Sequence, residues 1–499
     1  MPKSACAVVW LLLQSLLGSS FVPLAAAAKD EAERVITLDP YTFVSAKNDS
    51  VAAEWGVLRV PENRANPASR HIELAFVRFK STAEQPGPPI VYLAGGPGNS
   101  GIAAARGTRF PLFMALRSVG DVIALDPRGV GASRPLLDCE ETEDYPLDQP
   151  GDRTRVVNLV REKCHKCMAR IRQQGIDLDG YSVDASADDV DDLRRALGAE
   201  SLSLWGISYG TTLGLDIIRL HGERVHKAIL AGTEGTDDML KKPARVDSIL
   251  ALVSSLASRD PAVASDVPDL IGAMRTQIAA LARQPVRVRI ADAATEDPAD
   301  SVTVVLGAYD YQWAAYRLFG TKDYEWLPGF VWTVGQGDFR WWAEIVASER
   351  RSGIGSAMTF HTDCASGASA ERLSQIAAER DAAVLGDVPN LVYPEVCDAW
   401  GSPDLGEEFR RGVHDSPVPV LFISGSLDAR TPPVQAEIAR RGFRRSHHLV
   451  IEGAAHSDPL FLSSPKILET MLEFLKTGEV SITQLSTPIQ FRPVREFDD

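Results

Sequence analysis

The stretch that most constrains this chain runs from Leu202 to Gly210, Leu-Ser-Leu-Trp-Gly-Ile-Ser-Tyr-Gly. Its apolar half, Leu202, Leu204 and Trp205, suits a buried strand, and Thr211 to His221 suits a helix. Between them stands Gly206-Ile207-Ser208-Tyr209-Gly210, a G-x-S-x-G pattern. A strand turns this sharply into a helix only if the apex residue accepts a strained backbone. The flanking positions must also lack side chains that would clash. Such a turn lifts the Ser208 hydroxyl clear of the sheet and sets it at a helix N-terminus. The Tyr209 N–H can then face a developing negative charge. Five-residue matches of this kind also arise by chance, so the rest of the chain has to decide.

The flanking sequence alternates strand-like and helix-like segments. Trp55 to Val60 and His71 to Lys80 read as an antiparallel pair around a Pro- and Asn-rich turn. Pro89 to Leu93 is a buried strand running into Ala94-Gly95-Gly96-Pro97-Gly98. Asp121 to Leu125 is the next, ending in Asp126-Pro127-Arg128-Gly129-Val130-Gly131-Ala132-Ser133. Thr154 to Gln174 and Ala187 to Leu197 are helical, and His226 to Ala231 is another strand. Alternation of this kind predicts a mostly parallel sheet with helices on both faces. It stops near Thr236. From there to Asp415 the chain reads as helices with turns, rich in aromatic residues that mostly suit a core. Strands resume at Val418 to Ser424 and His448 to Ile451, and a last amphipathic helix runs from Pro465 to Lys476.

Ser208, Asp428 and His456 each follow an apolar strand, in that chain order. The C-terminal ends of parallel strands share one edge of a sheet, so residues this far apart in sequence can converge there. Their chemistry is complementary. A serine hydroxyl needs a base, a histidine can serve as base and later as acid, and an aspartate fixes the imidazole tautomer. The second oxyanion donor beside Tyr209 is assigned to Gly96, with Gly95 its nearest rival, because glycines let backbone N–H groups approach a substrate. A phosphate-binding loop is a poor reading, since no lysine follows in the required position. No histidine has metal-ligand spacing, and neither metal nor cofactor is expected.

Charge and cysteine usage narrow the setting. A net charge of −15 over 499 residues argues against nucleic acid or anionic membranes as partners. Residues 1–28 read as an export signal: Lys3, then an apolar core from Ala7 to Leu17, then Ala25 to Ala28 at the cleavage zone. A secreted or periplasmic protein follows, with no membrane association after signal cleavage. Export permits disulfides. Cys139, Cys164, Cys167, Cys364 and Cys397 remain after cleavage, an odd number that predicts one or two bonds and a leftover thiol. The Cys164/Cys167 spacing lacks a second pair, which disfavours zinc or redox chemistry.

Taken together, these motifs resemble the α/β-hydrolase exopeptidases of the proline iminopeptidase type, and more closely the secreted tripeptidyl aminopeptidases. The resemblance rests on Gly95 to Gly98, Asp126 to Ser133, Gly206 to Gly210, Leu427-Asp428-Ala429-Arg430-Thr431-Pro432 and Gly453-Ala454-Ala455-His456. It implies an α/β-hydrolase fold with a helical lid between strands six and seven. The parts would be an N-terminal core over residues 29–235, a lid over 236–415 and a C-terminal core over 416–499. It implies bonds Cys139–Cys167 and Cys364–Cys397, leaving Cys164 alone. Ala94, where many proline iminopeptidases carry histidine, favours the tripeptidyl relatives. A lid cysteine that those relatives often carry near Asp260 to Val263 is missing, so its crosslink should be missing too.

The function implied is a serine exopeptidase that releases tripeptides, or single residues such as proline, through an acyl-enzyme. Its partners would be peptides with a free N-terminus. A protonated amino terminus entering a closed pocket must meet carboxylates. Glu234, just after the strand His226 to Ala231, is the first candidate. Asp363 and Glu395, beside the two lid cysteines, are the others. A carboxylesterase or lactonase on the same machinery is the alternative. A non-catalytic binding protein is disfavoured, because no member of the Ser-Asp-His set is lost.

Overall fold

Apolar runs bounded by turns build the centre of a ten-stranded sheet in the computed structural model, which describes residues 35–142, 145–295, 297 and 299–497. The expected export signal lies outside the described residues. The strands are β1 Ile36–Val44, β2 Ser50–Pro61, β3 His71–Phe79, β4 Gly87–Leu93, β5 Gly120–Leu125, β6 Leu202–Ser208, β7 Val225–Thr233, β8 Val420–Gly425, β9 Ser446–Glu452 and β10 Gln484–Ser486. Their spatial order is β1-β2-β3-β5-β4-β6-β7-β8-β9-β10. The pairs β1–β2, β2–β3 and β3–β5 are antiparallel. Every pair from β5–β4 to β9–β10 is parallel. Because β4 lies between β5 and β6, the chain reverses its direction of progress across the sheet there. In such a sheet a crevice opens beyond the C-terminal ends of the strands at the reversal. Those ends carry Gly95 and Ser208.

The central strands have no solvent face. All six residues of β8 are buried, as are Leu202 to Ile207 of β6. Successive side chains enter opposite cores: Leu204, Leu230 and Phe422 pack on one side, Trp205, Ile229 and Ile423 on the other. Helices cover both faces, as a parallel sheet requires.

Between β7 and β8 stands a large, mainly helical insertion with a core of its own, which includes Tyr311, Phe319, Phe330 and Trp342. Counted from β2, it lies between the sixth and seventh strands. β1 is an added edge strand that sequence reading missed. Pro40 sits within it, and an edge strand tolerates a residue that cannot donate to the ladder. The insertion is also not wholly helical. Val286–Ala291 pairs antiparallel with Ser301–Leu306. The alternation of Val286, Val288 and Ile290 with arginines is the period-two signal that marks the first of these strands. The tail, which shows no clear period, adds β10 at the far edge.

Two disulfides are formed. Cys139–Cys167 ties the short strand Asp138–Cys139 to the helix Arg153–Gln173. Cys364–Cys397 ties the lid helix Ala357–Ser366 to the helix Cys397–Trp400. Cys164 is free and buried, and burial pushes its thiol up to about 12.

Two predictions concern stability. The double substitution Cys364→Ser/Cys397→Ser opens a loop closed over 33 residues. It should cost about 3–4 kcal/mol in chemical denaturation, by the entropy of loop closure. An unchanged denaturation midpoint would mean that the bond constrains nothing. The second concerns His361, buried on the lid helix with Nδ1 3.0 Å from the Ser402 hydroxyl. Burial pushes its pKa down to about 4, against about 6.5 for an unfolded chain. Between those values the unfolded chain binds the extra proton, so folding loses stability as pH falls from 6.5 towards 4. The loss reaches at most about 3 kcal/mol. His361→Gln should flatten the denaturation midpoint over that pH window, and an unaltered slope would count against the assignment.

Candidate active site

The turn after β6 forces backbone against backbone. Ser208 has φ 55° and ψ −128°, a left-handed conformation, and the helix Tyr209–His221 starts at the next residue. A Cβ on Gly206 would lie 2.6 Å from the Gly210 carbonyl oxygen, and one on Gly210 would lie 2.1 Å from the Leu93 carbonyl oxygen. Neither gap admits a side chain, so both glycines of the pattern are required by contact. Ser208 is thereby held at the apex, beside the loop that follows β4.

The histidine and the aspartate reach the same point from the ends of β9 and β8. His456 Nε2 lies 3.1 Å from Ser208 Oγ, and its Nδ1 lies 2.7 Å from Asp428 Oδ2. Asp428 is fully buried. Its charge is met by more than the imidazole. The N–H groups of Arg430 and Thr431 donate to Oδ1 at 2.9 and 2.8 Å, and the Thr431 hydroxyl donates to Oδ2 at 2.7 Å. Thr431 Oγ1 is also 3.1 Å from His456 Nδ1. Sequence reasoning quoted Thr431 within its motif and gave it no role. Such a chain can pass a proton from a serine hydroxyl to an imidazole whose tautomer is fixed from behind.

On the other side of Ser208 lies Gly95-Gly96-Pro97-Gly98. A Cβ on Gly95 would come within 3.1 Å of the serine Cβ, so this loop touches the apex. Gly96 has φ 119°, a conformation open to glycine alone. Gly96 and Tyr209 follow directly on Gly95 and Ser208, the two residues that touch. The Asp126 to Ser133 motif supports this loop from below. Asp126 Oδ1 accepts from the Ser100 hydroxyl at 2.5 Å and from the Ile102 N–H at 3.0 Å. Arg128, fully buried, makes a two-pronged pair with Asp189 at 2.7 and 2.6 Å. The motif is therefore structural.

A cavity of about 700 Å³ opens between Ser208 and the insertion. Glu234 and Asp363, each 9% exposed, border it together with His456 and Gly96. The Glu234 backbone is fixed to the elbow helix: its N–H donates to Thr211 Oγ1 at 2.8 Å, and Thr212 Oγ1 donates to its carbonyl at 2.9 Å. Burial pushes the Glu234 carboxyl up, and Lys241, with Nζ 3.3 Å from Oε1, opposes the shift. Asp363 is driven well above the usual carboxylate range, first by burial and then by the Glu234 charge. It forms no ion pair among the described residues.

Glu395 is a correction. It does not border the cavity; Arg153 takes both its carboxylate oxygens, at 2.6 and 2.8 Å. The disulfide beside it fixes where the backbone lies and leaves side-chain direction to the nearest cation.

The insertion also supports the reaction loops. Thr359 Oγ1 donates to the Pro97 carbonyl at 2.8 Å, one helical turn before Asp363 on the same helix face. The His456 N–H donates to the Gly320 carbonyl at 3.1 Å, and the Arg430 guanidinium lies over the Tyr316 ring at 4.0 Å. None of these contacts has a signature readable from sequence.

Comparison with known proteins fits this arrangement. The chain is similar to serine protease Hip1 of Mycobacterium tuberculosis, 33% identical over 190 residues, or 36% of this chain and 35% of that protein. That match spans about a third of the protease's length. It is similar to the tripeptidyl aminopeptidase of Streptomyces coelicolor, 28% identical over 493 residues, or 86% of this chain and 83% of that one. It is also similar to carboxylesterase B of M. tuberculosis, 30% identical over 139 residues, or 26% of each. Residues 88–461, about three quarters of the sequence, match the α/β-hydrolase fold family. With the sheet order, the elbow and the Ser208–His456–Asp428 chain in place, the protein belongs to the α/β-hydrolase fold family.

Proposed function

We propose that this protein is a serine hydrolase that releases short units from the free amino end of peptides. The observation that carries the reading is the pairing of two things in one cavity: the Ser208–His456–Asp428 chain at its floor and two buried carboxyls, Glu234 and Asp363, in its wall. Ser208 Oγ attacks the scissile carbonyl and gives its proton to His456 Nε2. Asp428 holds the imidazole and balances the charge it gains. The tetrahedral oxyanion takes hydrogen bonds from the N–H groups of Gly96 and Tyr209. His456 returns the proton to the leaving amine, and a water then cleaves the acyl-enzyme by the same steps. Glu234 and Asp363 meet the substrate ammonium, whose desolvation would otherwise go uncompensated. Similarity to a tripeptidyl aminopeptidase over most of both chains supports the choice of substrate. Two disulfides support the export reading, with the enzyme acting outside the cytoplasm, secreted or periplasmic.

An ester or lactone hydrolase is the second reading, and one observation favours it. Lys241 already neutralises Glu234, so the pocket does not present two unopposed negative charges. The similarity to a carboxylesterase points the same way. Aminoacyl and tripeptidyl chromogenic amides set against simple acyl esters separate the two. Amides with a free amine should be turned over and their N-acetylated forms should not; turnover of esters alone would replace the first reading with the second.

Ser208→Ala should fold and lose at least about a thousandfold in kcat. Retention of more than a few per cent of activity would remove Ser208 from the chemistry. Thr431→Val, which deletes one charge-assisted hydrogen bond to Asp428, should lower kcat about tenfold with little change in KM. Glu234→Gln should lower the ratio of kcat/KM for free-amine substrates to that for esters by about tenfold or more. A ratio that stays constant would take Glu234 out of amine recognition.

A further inference from the structure

Among the described residues Lys241 is the cation paired with Glu234 in the cavity wall, and the mechanism above gives it no step. Its Nζ lies 3.3 Å from Glu234 Oε1 and donates to the Asp238 carbonyl at 3.1 Å. Its backbone is clamped from the far side of the insertion. The Lys241 N–H donates to Asn390 Oδ1 at 2.6 Å, and Asn390 Nδ2 donates back to the Lys241 carbonyl at 3.0 Å. Asn390 is itself buried and donates to Asp387 at 2.8 Å. The lysine is therefore built into the wall, with its side chain nearly enclosed.

We infer that Lys241 sets the charge selectivity of the cavity, acting as a fixed internal counter-cation that leaves room for one substrate ammonium and not two. The inference rests on the amine-binding reading of Glu234 and Asp363 given above. An entering ammonium favours the ionised form of both carboxyls, and the ligand-bound wall then carries two negative charges. Lys241 reduces the sum to one, which a single amino terminus cancels. A carboxylate has about four acceptor sites, so Glu234 can hold Lys241 and still accept from a ligand. A second positive charge, such as a basic first residue, would enter a wall already neutral and meet the Lys241 ammonium as a like charge. The other charges bordering the cavity make their contacts away from Glu234 and Asp363; Glu349 lies 3.9 Å from Arg317. Arg350 is paired with Asp310 at 2.7 Å and Arg109 with Asp458 at 3.0 Å. Lys163 donates to the Ser352 carbonyl, and Arg430 lies over Tyr316. Lys241 touches no reacting atom, so it is a specificity-determining residue and not a catalytic one.

The test uses two small amines as inhibitors of p-nitrophenyl acetate hydrolysis by the full chain: n-butylamine, a monocation, and butane-1,4-diamine, a dication of similar length. In the wild type the monocation should inhibit at least as well as the dication. In Lys241→Met, and independently in Lys241→Gln, the ratio of the two inhibition constants should shift about tenfold towards the dication. In Glu234→Gln/Lys241→Met the wall again carries one negative charge, and the ratio should return to the wild-type value. A structural disturbance would not be corrected by removing a second charge. An unshifted ratio in both single variants, with amine inhibition intact, overturns the role of Lys241 and leaves the amine pocket standing. A shifted ratio that the double variant fails to restore also overturns it. Inhibition by neither amine in any variant overturns both this inference and the reading it rests on.

Discussion

The site depends on one close approach of backbone to backbone. Where β6 becomes a helix, Gly210 lies against the Leu93 carbonyl and Gly206 against the Gly210 carbonyl. This packing allows Ser208 to hold a positive φ, a conformation that costs an L-residue about 1–2 kcal/mol. The strain is local and the sheet on either side is fully buried, so nothing nearby can relax to relieve it. Because β4 is the neighbour of β6, the same approach brings the loop after β4 to the serine. A single contact between two strands thus fixes the hydroxyl and the backbone positions beside it.

Charge is handled differently on the two sides of that serine. Asp428 is fully buried and hydrogen-bonded by two backbone N–H groups, a threonine hydroxyl and an imidazole. Such a carboxylate is a fixed part of the machinery. Asp363 has no ion pair among the described residues, and burial with the Glu234 charge drives its carboxyl well above the usual range. Satisfied charge belongs to positions that must not change, and unsatisfied charge to positions that wait for a ligand.

The parts of this arrangement legible in sequence are those with a local physical cause. A serine between two glycines after an apolar run, and an aspartate and a histidine after two more, announce strand ends. Parallel topology then gathers them. The insertion is legible because strand periodicity stops at Thr236 and returns at Val418. Residues whose role arises from contact across the fold are not legible. Thr359 reaches Pro97 over 262 positions, and Lys241 and Asn390 meet over 149. Glu395 shows the opposite failure: proximity to a cysteine bond was informative about backbone position, and Arg153 decided the rest. β1 was obscured by Pro40, whose cost vanishes on an edge strand.

The insertion hydrogen-bonds to two of the loops it covers. Thr359 holds the carbonyl of Pro97, and Gly320 receives the N–H of His456 itself. A cover of this kind is not a detachable module. Exchanging it for the insertion of another family member would remove two supports of the reaction loops along with the old pocket wall. Grafted chimaeras of this fold would then lose turnover before they gained a new preference. Diversification of a lineage built this way is confined to side chains lining the inner wall, with the frame that bears them inherited whole.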